Sequence, residues 1–150
     1  ENPMNEIPVG APRSQIEVQI DGKQGKAVEG ATILNICQKE GIDTPTLCWA
    51  ENLTPVNVCR VCVVEVEGSR TLVPSCSRPA EDGMVISTDS DRVRKSRKLV
   101  FELLDSSVEM DRSTTEVKEW MEHYEVDSSR MGSKNEIATV AQPPKILDSL

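Results

Sequence analysis

The sequence predicts a small α+β domain, and three observations carry that expectation. Gln15–Ile20 alternates polar and apolar residues with the period of a half-buried strand and runs directly into Asp21-Gly22, a strong hairpin signal. Thr32 stands where it can cap a short helix from about Ile33 to Glu40, closed by Gly41. Beyond residue 62, short β-prone runs alternate with turn residues before any long helical period begins.

Each element follows from its residues. Positions 1–14 hold Pro3, Pro8 and Pro12 without an apolar period and read as an extended arm. Strand 15–20 pairs back on a second strand around Gln24–Val28, and the Thr32-capped helix follows. Residues 42–62 contain two prolines and three cysteines, which argues against a continuous helix or ladder. Val63–Glu67 is β-rich, Gly68-Ser69 turns the chain into Thr71–Val73, and Pro74-Ser75-Cys76 ends that segment. Gly83–Thr88 reads as the last strand, and a helix starts near Asp89 or Ser90 and runs to about Leu104. Ser113-Thr114-Thr115-Glu116 has the form of a capping box. Behind it Val117, Trp120, Met121 and Tyr124 make an apolar stripe at helical spacing. From Glu125 onward apolar density falls and Pro143-Pro144 interrupts the chain. The expected organisation is therefore an arm over 1–14, the α+β domain over 15–108, an amphipathic helix over 109–125 and an extended tail or linker over 126–150.

Composition narrows the function. The chain has 150 residues, a net charge of −8, 37% apolar residues and four aromatic ones, enough for one modest core but not for a large cavity around an organic cofactor. The acidic balance argues against nucleic acid, whose phosphates need clustered Lys and Arg. No run approaches the roughly 18 apolar residues of a membrane span. Glu1–Glu6 has neither a basic flank nor an apolar stretch, so the expectation is a soluble, cytoplasmic protein. In that compartment cysteines need a reason other than disulfides.

Four of the five cysteines form a pattern, Cys48-x10-Cys59-x2-Cys62-x13-Cys76, in or beside loops where backbone N–H groups are free to point at sulfur. A Cys-x-x-Cys pair flanked by one cysteine on each side can complete a four-thiolate site. Zinc usually takes two Cys-x-x-Cys knuckles and only one is present. A binuclear iron–sulfur cluster accepts ligands from a long loop and needs no histidine, and the chain has a single histidine. A zinc-stapled interaction module without redox activity stays open as the alternative, as do unliganded thiols. Cys37, beside Ile33, Leu34 and Ile36, reads as a small buried hydrophobe.

These residues carry a resemblance. Thr44-Pro45-Thr46-Leu47-Cys48-Trp49, Cys59-Arg60-Val61-Cys62-Val63-Val64-Glu65-Val66 and Pro74-Ser75-Cys76 resemble the N-terminal 2Fe–2S module of one family. Its members are the large iron–sulfur subunit of respiratory NADH dehydrogenase, the diaphorase subunit of NAD-linked hydrogenases, iron-only hydrogenases and NAD-linked formate dehydrogenases. The resemblance covers roughly residues 15–105. It implies a β-grasp, ferredoxin-like fold with Cys48, Cys59, Cys62 and Cys76 binding one 2Fe–2S cluster. It also implies one-electron transfer as a relay subunit or domain of an NAD(P)H-, hydrogen- or formate-linked oxidoreductase. The chain departs from the family after Leu104, where many members continue into a His-Cys-Cys-Cys motif for a 4Fe–4S cluster and this one has no further cysteine. Gly-x-Gly-x-x-Gly is absent, so the chain is expected to have no catalytic residues of its own. The expected partners are oxidoreductase subunits carrying flavin or further iron–sulfur clusters, in a hetero-oligomer whose membrane association, if any, runs through those subunits.

Four further features have two readings each. Trp49 adjoins a ligand cysteine and either shields the site from water or is a half-buried loop aromatic. Arg60, between two ligand cysteines, either favours the reduced state of an anionic centre or points to solvent. Asp91–Lys98 sums to +4 while residues 1–90 and 99–150 sum to −6 each, making a docking patch or a solvated helix face. The stripe around Trp120 either covers the domain's own flank or docks on another subunit, and His123 beside it reads as a surface or packing residue.

Overall fold

A computed structural model describes residues 13–132. The arm expected over 1–14 and the tail expected over 126–150 therefore lie mostly outside the described residues. The chain divides into two compact units, one up to Val93 and one from Arg94 onward.

The first unit is a mixed five-stranded sheet holding one helix. Strands β1 (Gln15–Ile20) and β2 (Lys23–Val28) form the expected hairpin, β2 beginning one residue earlier than the sequence suggested. Asp21 and Gly22 both take positive φ, 49° and 79°, as the turn between such close strands requires. Thr32 caps α1 (Ile33–Lys39): its hydroxyl accepts from the Asn35 N–H while the Asn35 side chain accepts from the Thr32 N–H. Residues 42–62 are irregular, as two prolines dictate. Strands β3 (Val63–Val66), β4 (Val73–Pro74) and β5 (Val85–Ser87) complete the sheet. The order is β2-β1-β5-β3-β4, with β5 parallel to β1 and every other pairing antiparallel. This is the α+β arrangement, a sheet grasping a helix, that the sequence called for.

Two boundaries shift for local reasons. β4 lies at Val73–Pro74 rather than Thr71–Val73, because the Ser69 hydroxyl donates to the Thr71 carbonyl and keeps that residue in the turn. Pro74 is tolerated because β4 is the sheet edge. The core is apolar and fully closed: Ile16, Val18, Ile20, Ile33, Ile36, Cys37, Val64 and Ile86 are all buried in one cluster. Asp21 ties the hairpin to the end of β5, accepting from both the N–H and the hydroxyl of Thr88.

Helix α2 (Asp91–Ser107) starts in the first unit, where Ser90 caps it by accepting from the Val93 N–H and Arg92 pairs with Glu65 at 2.6 Å. It extends three residues past the expected Leu104, with the Ser106 and Ser107 hydroxyls both donating to the Leu103 carbonyl. In the second unit, a 3-10 turn at Met110–Arg112 that the sequence reading did not foresee leads to α3 (Thr115–His123). The cap of α3 is Thr114, not Ser113, and accepts from the Val117 N–H. Ser113 is occupied by the preceding turn, where its hydroxyl donates to the Met110 carbonyl. Glu116 therefore misses the position from which it would complete a capping box. Of the apolar stripe, Tyr124 is buried and Val117, Trp120 and Met121 are half-buried. Tyr124 stacks between Phe101 and Trp120, and its hydroxyl accepts from Arg97 at 2.7 Å.

Candidate metal centre

The irregular stretch exists to bring sulfur together. Cys48 and Cys59 come from opposite ends of the 48–59 loop, Cys62 from the turn entering β3, and Cys76 from just beyond β4. The antiparallel pairing of Val63 with Pro74 carries Cys62 and Cys76 to the same end of the sheet. Cys37 goes elsewhere, into the main core beneath the sheet. None of the five is in a disulfide.

The four thiols of the spacing pattern meet as two pairs. Cys48 Sγ and Cys59 Sγ lie 3.3 Å apart, and Cys62 and Cys76 are buried together in one cluster with Leu34. Cys76 also feels the charges of Cys62, Cys48 and Cys59, so all four share one electrostatic neighbourhood. Among the described residues no three His, Cys, Asp or Glu side chains gather at one ion-sized point. Four sulfurs arranged as two pairs fit a centre wider than a single ion.

Their titration follows from this packing. Burial pushes the Cys76 thiol up to about 12, with its bond to Cys62 and the three neighbouring sulfurs adding to the rise. Burial raises Cys59 as well, and Cys48 beside it adds to that, so Cys59 titrates above its usual range. Cys48 ends below its usual range: the burial that would raise it is outweighed by donors from Cys59, from the Val58 N–H and from its own N–H. Further loop N–H groups, those of Val61, Cys48 and Leu47, point at Cys59. Asn57 and Arg60 make this possible by taking left-handed φ values of 56° and 59°, which turn successive N–H groups toward one side. Thiols whose ionisation is opposed at Cys59 and Cys76 fit a group that brings positive charge of its own.

The supporting residues were only partly legible in advance. Trp49 is half-buried and packs against the cluster of Leu34, Cys62 and Cys76. Arg60 is exposed, yet its guanidinium is engaged, donating to Asn57 Oδ1 at 3.2 Å and to the Leu72 carbonyl at 3.3 Å. It therefore staples the ligand loop to the approach of β4 and neither caps the sulfurs nor swings in solvent. Ser75 was quoted in the sequence reading only as a motif residue. It is fully buried, and both its N–H and its hydroxyl donate to the Cys62 carbonyl, at 3.2 and 2.7 Å. Its own carbonyl accepts from the Leu34 N–H, which locks helix α1 to the Cys62–Cys76 pair. No sequence signal marks that role; a serine between proline and cysteine reads as turn chemistry.

Comparisons with known proteins bear on the family and the fold. Residues 13–91 match the model of the 2Fe–2S iron–sulfur cluster binding domain. The NADP-reducing hydrogenase subunit HndD of Solidesulfovibrio fructosivorans is 47% identical over 97 residues, 61% of this chain and 16% of that protein. The mitochondrial NADH dehydrogenase iron–sulfur protein 1 of Solanum tuberosum is 42% identical over 93 residues, 62% of this chain and 13% of that protein. The 78 kDa subunit of Candida albicans NADH-ubiquinone oxidoreductase is 35% identical over 91 residues, 61% of this chain and 13% of that protein. The chain thus spans less than a fifth of the length of these relatives. In fold it is similar to a chain of an NAD+-reducing [NiFe]-hydrogenase, with a TM-score of 0.68 at 22% identity over 79% of this chain and 52% of that one.

Proposed function

Because the chain belongs to the family of 2Fe–2S iron–sulfur cluster binding domains and its cofactor is one such cluster, we propose that Cys48, Cys59, Cys62 and Cys76 hold it and that the protein relays single electrons within a larger oxidoreductase. The observation that supports the ligand assignment is the convergence of the four thiols as two pairs, with backbone N–H groups turned toward Cys48 and Cys59. On this reading Cys48 with Cys59 serves one iron and Cys62 with Cys76 the other. When bound, the cluster supplies a reversible one-electron couple. The protein's part is to hold the sulfurs at fixed spacing and donate hydrogen bonds to them through the 57–61 backbone. It also keeps water from the Cys62–Cys76 side with Trp49 and Leu34.

Substrate chemistry then belongs to partner subunits carrying flavin or further clusters. The relatives named above are subunits of oxidoreductases, and no helix among the described residues is long and apolar enough to cross a membrane. The test is iron, zinc and acid-labile sulfide content together with EPR before and after dithionite. Two irons and two sulfides per chain, with a signal that appears only on reduction, are expected. One zinc without sulfide would mean a zinc-stapled module instead. Cys62→Ser is expected to bleach the visible spectrum and Cys37→Ala to leave its shape unchanged; the reverse pattern would overturn the ligand set.

A further inference from the structure

A second site, independent of the cluster, lies within the second unit. Arg94, Lys95 and Lys98 of α2 line a groove of about 170 Å³ with His123, Tyr124 and Glu125 from the end of α3. The groove is held open by packing. The buried Tyr124 ring has the Arg94 guanidinium 5.9 Å and the Arg97 guanidinium 5.8 Å from its centroid, and its hydroxyl accepts from Arg97. His123 stands edge-on to Tyr124 at 4.8 Å and to Trp120 at 5.8 Å, which fixes the imidazole at the rim. Glu125, at a left-handed φ of 51°, turns the chain away directly after the helix.

The charge balance is unusual for this protein. Three permanent cations face one lining carboxylate, that of Glu125, with Asp127 close enough to Lys98 for its titration to be lowered in part by that charge. The groove is thus net positive in a chain of net charge −8. Arg94 and Lys95 also stand near the N-terminal end of α2, where cations oppose the helix dipole. The volume falls below the roughly 300–1,000 Å³ of pockets that bury an organic ligand. Concavity, size and a lining of three cations to one carboxylate suit a small oxyanion.

We propose that this groove binds an oxyanion of the phosphate class, either inorganic phosphate or the phosphoryl group of an ester. Lys95 and Lys98 supply the charge, Arg94 lines the wall beside the Tyr124 ring, and His123 offers a further donor when protonated. His123 is the only histidine in the chain, so its ring proton signals report the site without overlap. The groups facing it are Arg94, Lys95 and Lys98 from α2 and Trp120, Tyr124 and Glu125 from its own segment.

The experiment follows those signals in the cluster-loaded full chain as inorganic phosphate is added at constant ionic strength, with chloride as the control anion. A saturable shift with phosphate and none with chloride is expected, together with an upward move of the His123 titration midpoint. Lys95→Gln combined with Lys98→Gln, an exposed and a half-buried position with no part in the core, is expected to weaken binding by roughly tenfold or more. Calorimetric titration of the same two proteins gives the affinity by a second route. Diphosphate binding more tightly than phosphate would assign the site to ester-borne phosphoryl groups, and the reverse order to the free ion. A linear drift common to phosphate and chloride, or equal affinity in the double variant, would overturn the proposal.

Discussion

Replacing Ser75 with alanine tests the claim that one buried hydroxyl holds the second pair of thiols in place. The Ser75 hydroxyl donates 2.7 Å to the Cys62 carbonyl in a position with no solvent exposure. The variant removes that bond, but the same carbonyl keeps the Ser75 N–H at 3.2 Å and the Ser75 carbonyl keeps the Leu34 N–H at 2.9 Å. No buried group is left without a partner, so the loss is one neutral hydrogen bond, about 1 kcal/mol, and not the larger penalty of an orphaned acceptor. For a unit of this size that corresponds to a fall of about 4–8 °C in the melting midpoint. The assay is the temperature at which the visible absorbance of the cluster is lost. Ser69→Ala is the control, because its hydroxyl bonds the Thr71 carbonyl in an exposed turn and its removal is expected to cost less than about 0.5 kcal/mol. Equal midpoints for Ser75→Ala and Ser69→Ala would refute the reasoning.

Arg60 separates backbone strain from side-chain bonding. Arg60→Ala loses both guanidinium bonds and keeps a side chain at φ 59°, whereas Arg60→Gly loses the bonds and removes the strain. The glycine variant should therefore retain its cluster to higher temperature, by about 1 kcal/mol over alanine, and equal loss in the two would show that the left-handed turn costs nothing. Asp127 gives a pH signature: bonds from the Ser129 hydroxyl and N–H hold its carboxyl below the usual 3.8. Its contribution is thus fully present above about 3.8 and lost as pH falls through the lower folded value. The Ser129 amide resonance should move with a midpoint under 3.8, and Asp127→Asn should abolish that step. Tyr124→Phe removes the acceptor of buried Arg97 and should lower the stability of the α2–α3 unit by about 1–2 kcal/mol in denaturant melts followed by circular dichroism. A change below about 0.5 kcal/mol would mean the guanidinium is fully served without it.

How far the sequence could be read depended on whether the cause was local. The β1–β2 hairpin and helix α1 were visible because Asp21-Gly22 and Thr32 act on their immediate neighbours. The grouping of the four pattern cysteines, and the separate place of Cys37 in the main core, follow the sequence spacing, because Cys-x-x-Cys with two flanking cysteines leaves few arrangements. The cap of α3 was misplaced by one residue because Ser113 had a competing use in a 3-10 turn, and that competition is not written in a four-residue motif. Ser75 and Arg60 were illegible in role for a related reason. Their partners lie 13 and 12 residues away across the β3–β4 pairing, so they act only once the register of that pairing exists.

Electrostatics explains why the loop is built from backbone. On the proposed ligand set, four thiolates and two sulfides would leave the cluster anionic even when oxidised, and the surrounding chain is itself strongly acidic. A cation set against the sulfurs would be the direct remedy, and Arg60 is in the right place in sequence to provide it. Its guanidinium is instead committed to Asn57 and to the Leu72 carbonyl, so compensation falls to the N–H groups of Leu47, Cys48, Val58, Cys59 and Val61 that face Cys48 and Cys59. Backbone dipoles carry no net charge and cannot be displaced by salt, and those of Val58 and Val61 directly follow the two left-handed residues, Asn57 and Arg60, that precede and split the Cys-x-x-Cys pair. The Arg60 side chain thus serves the site indirectly, holding the turn whose N–H groups serve the sulfur. Loop geometry and the electronic environment of the thiols are in this protein one structural property, which is why the same residue that strains the backbone also staples it.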